Sequence, residues 1–185
     1  MRPNKVYLSF GRHGRYGSDT PIDRLSMVEA FLSGIWLDRN FPQIEAIYHS
    51  PIERVVETVR FRALGLKNNH LIATTSLTEN ASTFTIRKFI NNIIALADKN
   101  VFHYHFVTHF PVVEKLGLPD LGMGQMCVCE ADSWEEMLCD NFQIHKLPDI
   151  EISAISNVLK QVNMSAEEFD LISKDDLYNK LKIFV

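Results

Sequence analysis

The chain of 185 residues contains only three cysteines, and none of them supports a cysteine-based activity. Three is an odd number and a poor basis for a disulfide framework, so we interpret them as reduced thiols, typical of a cytoplasmic protein. A cysteine phosphatase needs an arginine six residues after its cysteine. The residues at those positions are Ser133, Glu135 and His145, which excludes that mechanism.

The sequence also lacks an excess of basic residues, a long apolar run and the usual nucleotide-binding motifs. Its formal net charge is −4, whereas nucleic acids and anionic membranes are bound by basic surfaces. Residues 1–5 precede only five strand-like residues, too few for a signal peptide or a membrane span. No glycine-rich phosphate loop or dinucleotide fingerprint occurs. We expect a cytoplasmic protein with no cofactor and with no nucleic-acid or membrane partner.

What the sequence does contain is a regular alternation of strand and helix patterns. Hydrophobic residues make up 46% of the chain, enough for a sizeable core. The predicted strands are Val6–Phe10, Ala46–Tyr48, Leu71–Ala73, Val101–Val107 and Met126–Glu130, and the main predicted helices are Ile22–Arg39, Ile52–Leu64 and Thr83–Asp98. This order predicts an α/β sandwich with a mostly parallel sheet.

Three features of the remaining sequence concern boundaries. Gly11–Pro21 is predicted to be a loop, and Gly65 the C-cap of a helix. Residues 133–146 fit either a short helix with a capping box or an edge strand. After Pro148 the apolar residues share a helical face. We therefore predict a catalytic domain over residues 1–149 and a helical extension over residues 150–185, packed on or beside it.

Groups suited to phosphate chemistry follow each of the first four predicted strands. They are Arg12, His13 and Gly14 after the first strand, Ser50 and Arg54 after the second, Glu79 after the third, and His109 after the fourth. In an open α/β sheet, functional sites form beyond the carboxyl ends of the strands. We therefore expect these side chains to converge on one site.

The residue types at these strand ends fit the transfer of a phosphoryl group through a histidine. Two arginines can hold a phosphate with planar, bidentate hydrogen bonds. A neutral imidazole is a nucleophile near pH 7, because its ordinary pKa is about 6.5. A second histidine can stabilise charge on the transferring group, and a carboxylic acid can protonate the leaving oxygen. Glycines let backbone amides approach an anion.

Four short blocks of the sequence carry these groups in order. They are Gly11–Gly14 (Gly-Arg-His-Gly), His49–Arg54 (containing Ser-Pro) followed by Thr58, Leu77–Glu79 (Leu-Thr-Glu), and Val107–Pro111 (Val-Thr-His-Phe-Pro). Together they resemble the signature of the histidine phosphatase superfamily, which has a phosphoglycerate mutase-like fold. The chain lacks the long insertion that the larger mutases and acid phosphatases of this superfamily contain. In that respect it is most similar to the small phosphohistidine phosphatases of the SixA type.

The resemblance implies a three-layer sandwich and a metal-independent phosphatase. His13 would be the nucleophile that forms a phosphohistidine intermediate, and Glu79 would be the proton donor. The phosphate would be bound by Arg12, Arg54, His109 and Gly14. The substrate would be a phosphomonoester or a protein phosphohistidine, so the partner would be a phosphorylated protein or a small phosphorylated metabolite.

Three departures from the family pattern leave roles open. Arg15 stands where the family usually has an acidic or polar residue, which indicates either recognition of a more anionic substrate or an exposed side chain. SixA-type members have no obvious acid at the place of Glu79, since a phosphoramidate leaving group needs less help. Glu79 is therefore either the acid or an ordinary loop carboxylate. The helical extension caps the core, forms a homodimer contact or binds a partner.

Other functions remain as alternatives. One is a phosphate mutase acting on a small metabolite, and another is a catalytically idle module that binds phosphoproteins. A third is a metallohydrolase with His103, His105 and His109 as ligands. We favour the interpretation that His103 and His105 line a face of the sheet or its edge, with Phe102, Tyr104 and Phe106 packing on the other face, and we expect no metal.

Overall fold

The computed structural model describes residues 5–17 and 21–184. The strands are β1 (Val6–Arg12), β2 (Ile47–His49), β3 (Leu71–Ala73), β4 (His103–Thr108), β5 (Met126–Ala131) and β6 (Gln143–Lys146). The helices are α1 (Arg24–Asn40), α2 (Glu53–Leu66), α3 (Thr83–Ala95), α4 (Phe110–Lys115), α5 (Trp134–Leu138), α6 (Ile152–Gln161), α7 (Ala166–Leu171) and α8 (Lys174–Phe184), with a 3₁₀ helix at Thr75–Leu77. Parts of three predicted segments lie outside the described residues: the N-terminal segment, the Gly11–Pro21 loop and the extension's last residue.

The strands form one six-stranded sheet in the order β3-β2-β4-β1-β5-β6. The first four strands are parallel to one another, whereas β5 pairs antiparallel with β1, and β6 pairs antiparallel with β5 at the edge of the sheet. The predicted α/β fold with a mostly parallel sheet is confirmed. Arg12 pairs with Thr108, and His49 pairs with both Val107 and Ala73. The carboxyl ends of the four parallel strands therefore lie side by side at the same end of the sheet.

Helices cover both faces of this sheet, which gives the three layers. Apolar side chains from α3, α4 and α5 pack with Leu8 and Phe10 on one face. Side chains from α1 and α2 pack with Tyr7 and Val128 on the other. The alternation along β1 follows from the two-residue period of a strand, which sends successive side chains to opposite faces.

Helices α1 and α2 cross closely because glycine occupies the contact on each helix. A Cβ atom on Gly34 would lie 2.2 Å from the Arg62 carbonyl oxygen, and one on Gly65 would lie 2.1 Å from the Phe31 carbonyl oxygen. The prediction that Gly65 is a C-cap is therefore wrong. The helix continues to Leu66, and Lys67 closes it in the left-handed conformation with φ 53°.

Other predicted boundaries also differ from those of the structure, and two cases have a physical explanation. Strand β1 continues through Gly11 to Arg12, because both residues pair with β4 instead of starting the loop. Residues 133–146 contain both predicted alternatives, the helix α5 and the edge strand β6. Short elements of this kind depend on their tertiary context, so local patterns define them poorly.

The C-terminal helices pack on the outer side of α1 and α2. Their apolar side chains, such as Ile155 and Leu181, form a third cluster with Phe31 of α1 and Phe61 of α2. At the start of α8, Lys174 makes an ion pair with the Glu57 carboxylate of α2. Among the described residues, no helix is long and apolar enough to cross a membrane.

Candidate active site

His13 directly follows β1 and is held on both sides through its backbone. Its N–H donates to the Thr108 carbonyl (3.1 Å), and its own carbonyl accepts from the Gly124 N–H (2.8 Å). The ring nitrogen Nδ1 lies 2.8 Å from the Gly14 carbonyl oxygen. Since a carbonyl can only accept, Nδ1 carries the proton and Nε2 carries the lone pair. The structure therefore presents His13 with the nitrogen that a nucleophile needs.

Arg54, in the first turn of α2, joins three of the predicted site residues. Its Nε donates to His13 Nε2 (3.2 Å), and its Nη2 donates to His109 Nδ1 (3.1 Å). Nη2 also pairs with the Glu79 carboxylate at 2.5 Å. Residues that follow β1, β2, β3 and β4 thus meet around one guanidinium, as the strand-end argument predicted.

His109 is the N-cap residue of α4 and lies beside His13, with the two ring centroids 5.3 Å apart. Its Nδ1 accepts from Arg54, so its Nε2 donates to the Ser50 hydroxyl oxygen (2.9 Å). The Ser-Pro block thereby fixes the orientation of the second histidine. In the same way, the Gly14 carbonyl fixes the orientation of the first.

The surroundings keep both site histidines neutral. Burial lowers the pKa of His13 below its ordinary 6.5, and the nearby Arg54 and Arg12 charges lower it further. Burial, followed by the charge of Arg54, lowers the pKa of His109 to about 4. A neutral His13 is the form that can attack phosphorus. Protonation of His109 would need an added negative charge in the site, such as that of a phosphate.

Arg12 reaches the same end of the sheet from the last position of β1. Its Nη1 donates to the Leu121 carbonyl (3.0 Å), and its guanidinium carbon lies 5.3 Å from the Phe110 ring centroid. Its Nε is buried and has no acceptor among the residues that the structure describes. The guanidinium therefore retains donor capacity beyond its contacts within the protein.

The backbone amide of Gly14 is engaged by the protein. The amide donates to Thr58 Oγ1 (3.0 Å), and that hydroxyl in turn donates to the Arg54 carbonyl (2.7 Å). In the structure this amide links the His13 loop to α2, and the binding of a phosphate by Gly14 stays a prediction. Glycine is required at this position, because a Cβ atom would lie 2.5 Å from the Cβ of Ser26.

Glu79 reaches the site from the segment after the 3₁₀ helix. Lys115 holds this segment by donating to the carbonyls of Glu79 (2.9 Å) and Ala81 (2.8 Å). The hydrogen bond from Arg54 lowers the pKa of the Glu79 carboxyl, which is half-exposed. Glu79 therefore reaches the site as a carboxylate that Arg54 holds in its ionised form, and its role as a proton donor stays a prediction.

Arg15 lies near the site, yet its charge is compensated within the protein. It pairs with Asp23 (3.3 Å) and with Glu29 (2.8 Å). The side chain lines a cleft of about 650 Å³ that Trp36 and Met123 also line. The predicted role in recognising a more anionic substrate has no contact that favours it.

Tyr16 is a residue of the site that the sequence analysis missed. Its ring centroid lies 5.7 Å from that of His13, and the Arg54 guanidinium lies 5.4 Å from it. The side chain is 63% exposed, so the ring flanks the entrance to the site. The only signal in the sequence was its place three residues after His13, where a tyrosine has no distinctive spacing.

The three histidines of the metal alternative do not converge. His103 and His105 both contact the Ser9 hydroxyl in the interior, whereas His109 contacts Ser50 at the strand end. In residues 5–17 and 21–184, no three His, Cys, Asp or Glu side chains come together as a metal site. The predicted placement of His103 and His105 on one face agrees with the structure, since Tyr104 and Phe106 pack on the opposite face.

Comparisons with known proteins identify the fold. No protein-family model and no curated protein sequence matches the chain. Among solved structures, the protein histidine phosphatase SixA complexed with tungstate is 17% identical with a TM-score of 0.64, over 76% of this chain and 94% of that one. A mycobacterial glucosyl-3-phosphoglycerate phosphatase complexed with VO3 is 13% identical with a TM-score of 0.58, over 79% of this chain and 100% of that one. The phosphoglycerate mutase of Plasmodium falciparum is 16% identical with a TM-score of 0.50, over 78% of this chain and 89% of that one.

These likenesses define the class of fold to which the chain belongs. The chain has the phosphoglycerate mutase-like fold of the histidine phosphatases, and SixA is among its structural neighbours. The four-block resemblance in the sequence and the likeness in the structure therefore indicate the same fold.

Proposed function

We propose that the protein is a phosphatase that hydrolyses a phosphomonoester or a phosphoramidate through a phosphohistidine at His13. The observation that carries this proposal is the placement of the His13 Nε2 lone pair against the guanidinium of Arg54, beside a second histidine. A phosphate bound by Arg54 would present its phosphorus to that nitrogen. The structural neighbours include enzymes named as phosphatases, which supports the proposal.

The reaction would proceed in two displacements. In the first, His13 Nε2 forms a bond to phosphorus while the bond from phosphorus to the leaving oxygen or nitrogen breaks. In the second, a water oxygen attacks phosphorus, the N–P bond breaks, and inorganic phosphate leaves with neutral His13 restored. Arg12 and Arg54 would balance the negative charge on the phosphoryl oxygens, and a protonated His109 would add to that balance.

A protein phosphohistidine is our first choice of substrate. Glu79 is held ionised by Arg54, so it becomes a proton donor only if the arriving phosphate draws Arg54 away. A phosphoramidate leaving group needs less protonation than an alkoxide does. A site with an ionised acid fits the phosphoramidate better, although Glu79 keeps phosphate esters within the proposal.

The test is phosphate release from an aryl phosphate and from a phosphohistidine peptide in the presence of EDTA. The wild-type protein should release phosphate, and His13→Ala should abolish that release. A phosphate mutase would instead need a phosphorylated primer and would transfer phosphate to a second hydroxyl. Tight phosphate binding without turnover would contradict the proposal and indicate a binding module. Loss of activity in EDTA would contradict a metal-independent mechanism.

Three predictions from the sequence go further than this site. A phosphorylated protein or metabolite as partner follows from the proposed reaction. A cytoplasmic location stays a prediction. The homodimer through the C-terminal helices also stays a prediction. The exposed side chains that such a contact would cover include Leu171 of α7 and Ile183 of α8.

A further inference from the structure

Arg62 on α2 is a buried cation that no step of the proposed reaction uses. Its side chain has no exposed surface, and burial lowers its pKa to about 9. No carboxylate of the described residues forms an ion pair with it. Burying a charge without a counter-charge is costly, so such a group requires a physical explanation.

Every nitrogen of the Arg62 guanidinium has an acceptor from a different element. Nε donates to the Ser33 hydroxyl of α1 (3.1 Å), and Nη2 donates to the Gly124 carbonyl (3.2 Å). Nη1 donates to His105 Nε2 of β4 (3.4 Å). The same Nη1 lies against β1, where a Cβ atom on Gly11 would be only 2.1 Å away. The guanidinium therefore joins two helices, two strands and the loop that contains Gly124.

The contact with His105 begins a chain of hydrogen bonds through the interior. His105 Nδ1 lies 2.7 Å from the Ser9 hydroxyl, which lies 2.8 Å from His103 Nε2, and His103 Nδ1 lies 3.2 Å from the Pro42 carbonyl. An arginine can only donate and a carbonyl can only accept, so every proton in the chain points from Arg62 towards Pro42. Both histidines are then neutral. Burial favours that state, since it lowers the pKa of His103 to about 4 and that of His105 well below its ordinary value.

The loop held by Arg62, residues 121–125, contacts the two functional residues at the end of β1. Its Gly124 N–H donates to the His13 carbonyl (2.8 Å), and its Gln125 carbonyl accepts from the Arg12 N–H (3.0 Å). Its Leu121 carbonyl accepts from the Arg12 side chain (3.0 Å). The loop thus holds the backbone of His13 and both the backbone and the side chain of Arg12.

We propose that Arg62 is a positioning residue that fixes Arg12 and His13 relative to Arg54. It does so by bonding the 121–125 loop to α2, the helix that also carries Arg54. The inference rests on the proposed phosphatase function, because it assigns to Arg62 the alignment of that reaction. A cation that only filled the core would affect the free energy of unfolding without a specific effect on this loop.

The experiment compares Arg62→Met and Arg62→Lys with the control Arg60→Met. Methionine keeps an unbranched stem but has no donors, and lysine keeps the charge but has one nitrogen in place of three. Arg60 lies on the same helix but pairs at the surface with Asp175. The measurements are kcat and KM for an aryl phosphate, and hydrogen exchange of the Gly124 amide in the full chain.

Both Arg62 variants should lower kcat by about 10- to 100-fold while KM changes much less, because a displacement of about 1 Å at a reacting group costs on that order. The Gly124 amide should exchange faster in both variants. Arg60→Met should leave kcat and that exchange unchanged. Folding is checked by circular dichroism.

Each outcome decides the inference. Native kcat and native Gly124 exchange in a folded Arg62→Met would overturn it. If Arg62→Met fails to fold, native kcat in Arg62→Lys would overturn it, since one lysine nitrogen cannot reproduce the contacts that three separate arginine nitrogens make with Ser33, His105 and Gly124. If the wild-type protein has no turnover, the proposed function fails, and the Gly124 exchange alone then decides whether Arg62 holds the loop.

Discussion

Two pairs of buried histidines lie in opposite environments, one pair just after the ends of β1 and β4 and the other within β4. His13 and His109 lie at the carboxyl edge of the sheet, where a cation, Arg54, donates to a nitrogen of each. His103 and His105 lie inside the same sheet, where both ring nitrogens of each are bonded within the protein. All four are buried and neutral.

The difference between the pairs lies in what their lone pairs face. At the strand ends, the acceptor nitrogens of His13 and His109 face an arginine that an anion can share. In the interior, the acceptor nitrogens of His103 and His105 face Ser9 and Arg62, and both side chains are fully buried. Side chains that follow the end of a parallel strand can therefore reach a ligand, whereas those in its middle contribute to the stability of the fold.

The most direct test of this difference is to substitute one histidine of each pair. His13→Gln should lower kcat by at least about 10³-fold, because loss of a nucleophile disables the whole reaction, and it should leave the free energy of unfolding close to that of the wild type. His103→Leu should lower the free energy of unfolding by about 1–3 kcal/mol, since Ser9 and the Pro42 carbonyl lose a partner. Its kcat should stay close to that of the wild type.

The two measurements for these variants are steady-state kinetics and urea unfolding. Both histidines are removed without adding charge, so each variant serves as the control for the other. If His103→Leu loses as much activity as His13→Gln does, the interior pair takes part in the reaction and the distinction between the pairs fails.

The strand ends were predictable from the sequence, whereas the interior network was not. The site residues follow apolar runs that predict parallel strands, so their convergence required only the topology of such sheets. Arg60 and Arg62, by contrast, look alike in the sequence. Only the apolar stripe of α2, which places position 62 one turn after the buried Val59, separated the surface arginine from the buried one.

The same limit applies to Arg15 and to the cap of α2. The partners of Arg15 are Asp23 and Glu29, whose approach depends on where α1 lies. The interior place of Gly65 depends on its contact with α1 and not on its own segment. Local patterns predict the elements, but contacts between elements decide whether a charge is free and whether a glycine ends a helix.

A second prediction tests the role of Glu79, the carboxylate beside His13 and His109. Glu79→Gln should slow the hydrolysis of an alkyl phosphate by about 10²-fold, the usual contribution of a general acid, and affect a phosphohistidine peptide much less. Glu114→Gln is the matched control, since Glu114 is an exposed carboxylate on α4. Equal losses on both substrates would contradict the proton-donor role and assign Glu79 to the orientation of Arg54.

The smallest expected effect is a difference in how the two pairs of histidines respond to pH. The pKa of His13 is below 6.5, so kcat/KM should be constant at neutral pH and fall only when the pH drops through that lower value. The interior pair should act on stability instead. The pKa of His103 is about 4 in the folded protein and near 6.5 in the unfolded chain, so the unfolded state binds more protons between these values. The free energy of unfolding should therefore decrease as the pH falls from 6.5 to about 4.

His103→Leu tests whether these two pH effects are independent. The variant removes one of the groups that make the unfolded state take up protons, so its free energy of unfolding should depend less on pH over the same interval. The acid limb of its kcat/KM should stay where it is in the wild type, because that limb reports His13. An acid limb that moves in His103→Leu would show that the interior chain reaches the nucleophile electrostatically, through Arg62 and the 121–125 loop. The two pairs would then be one titrating system.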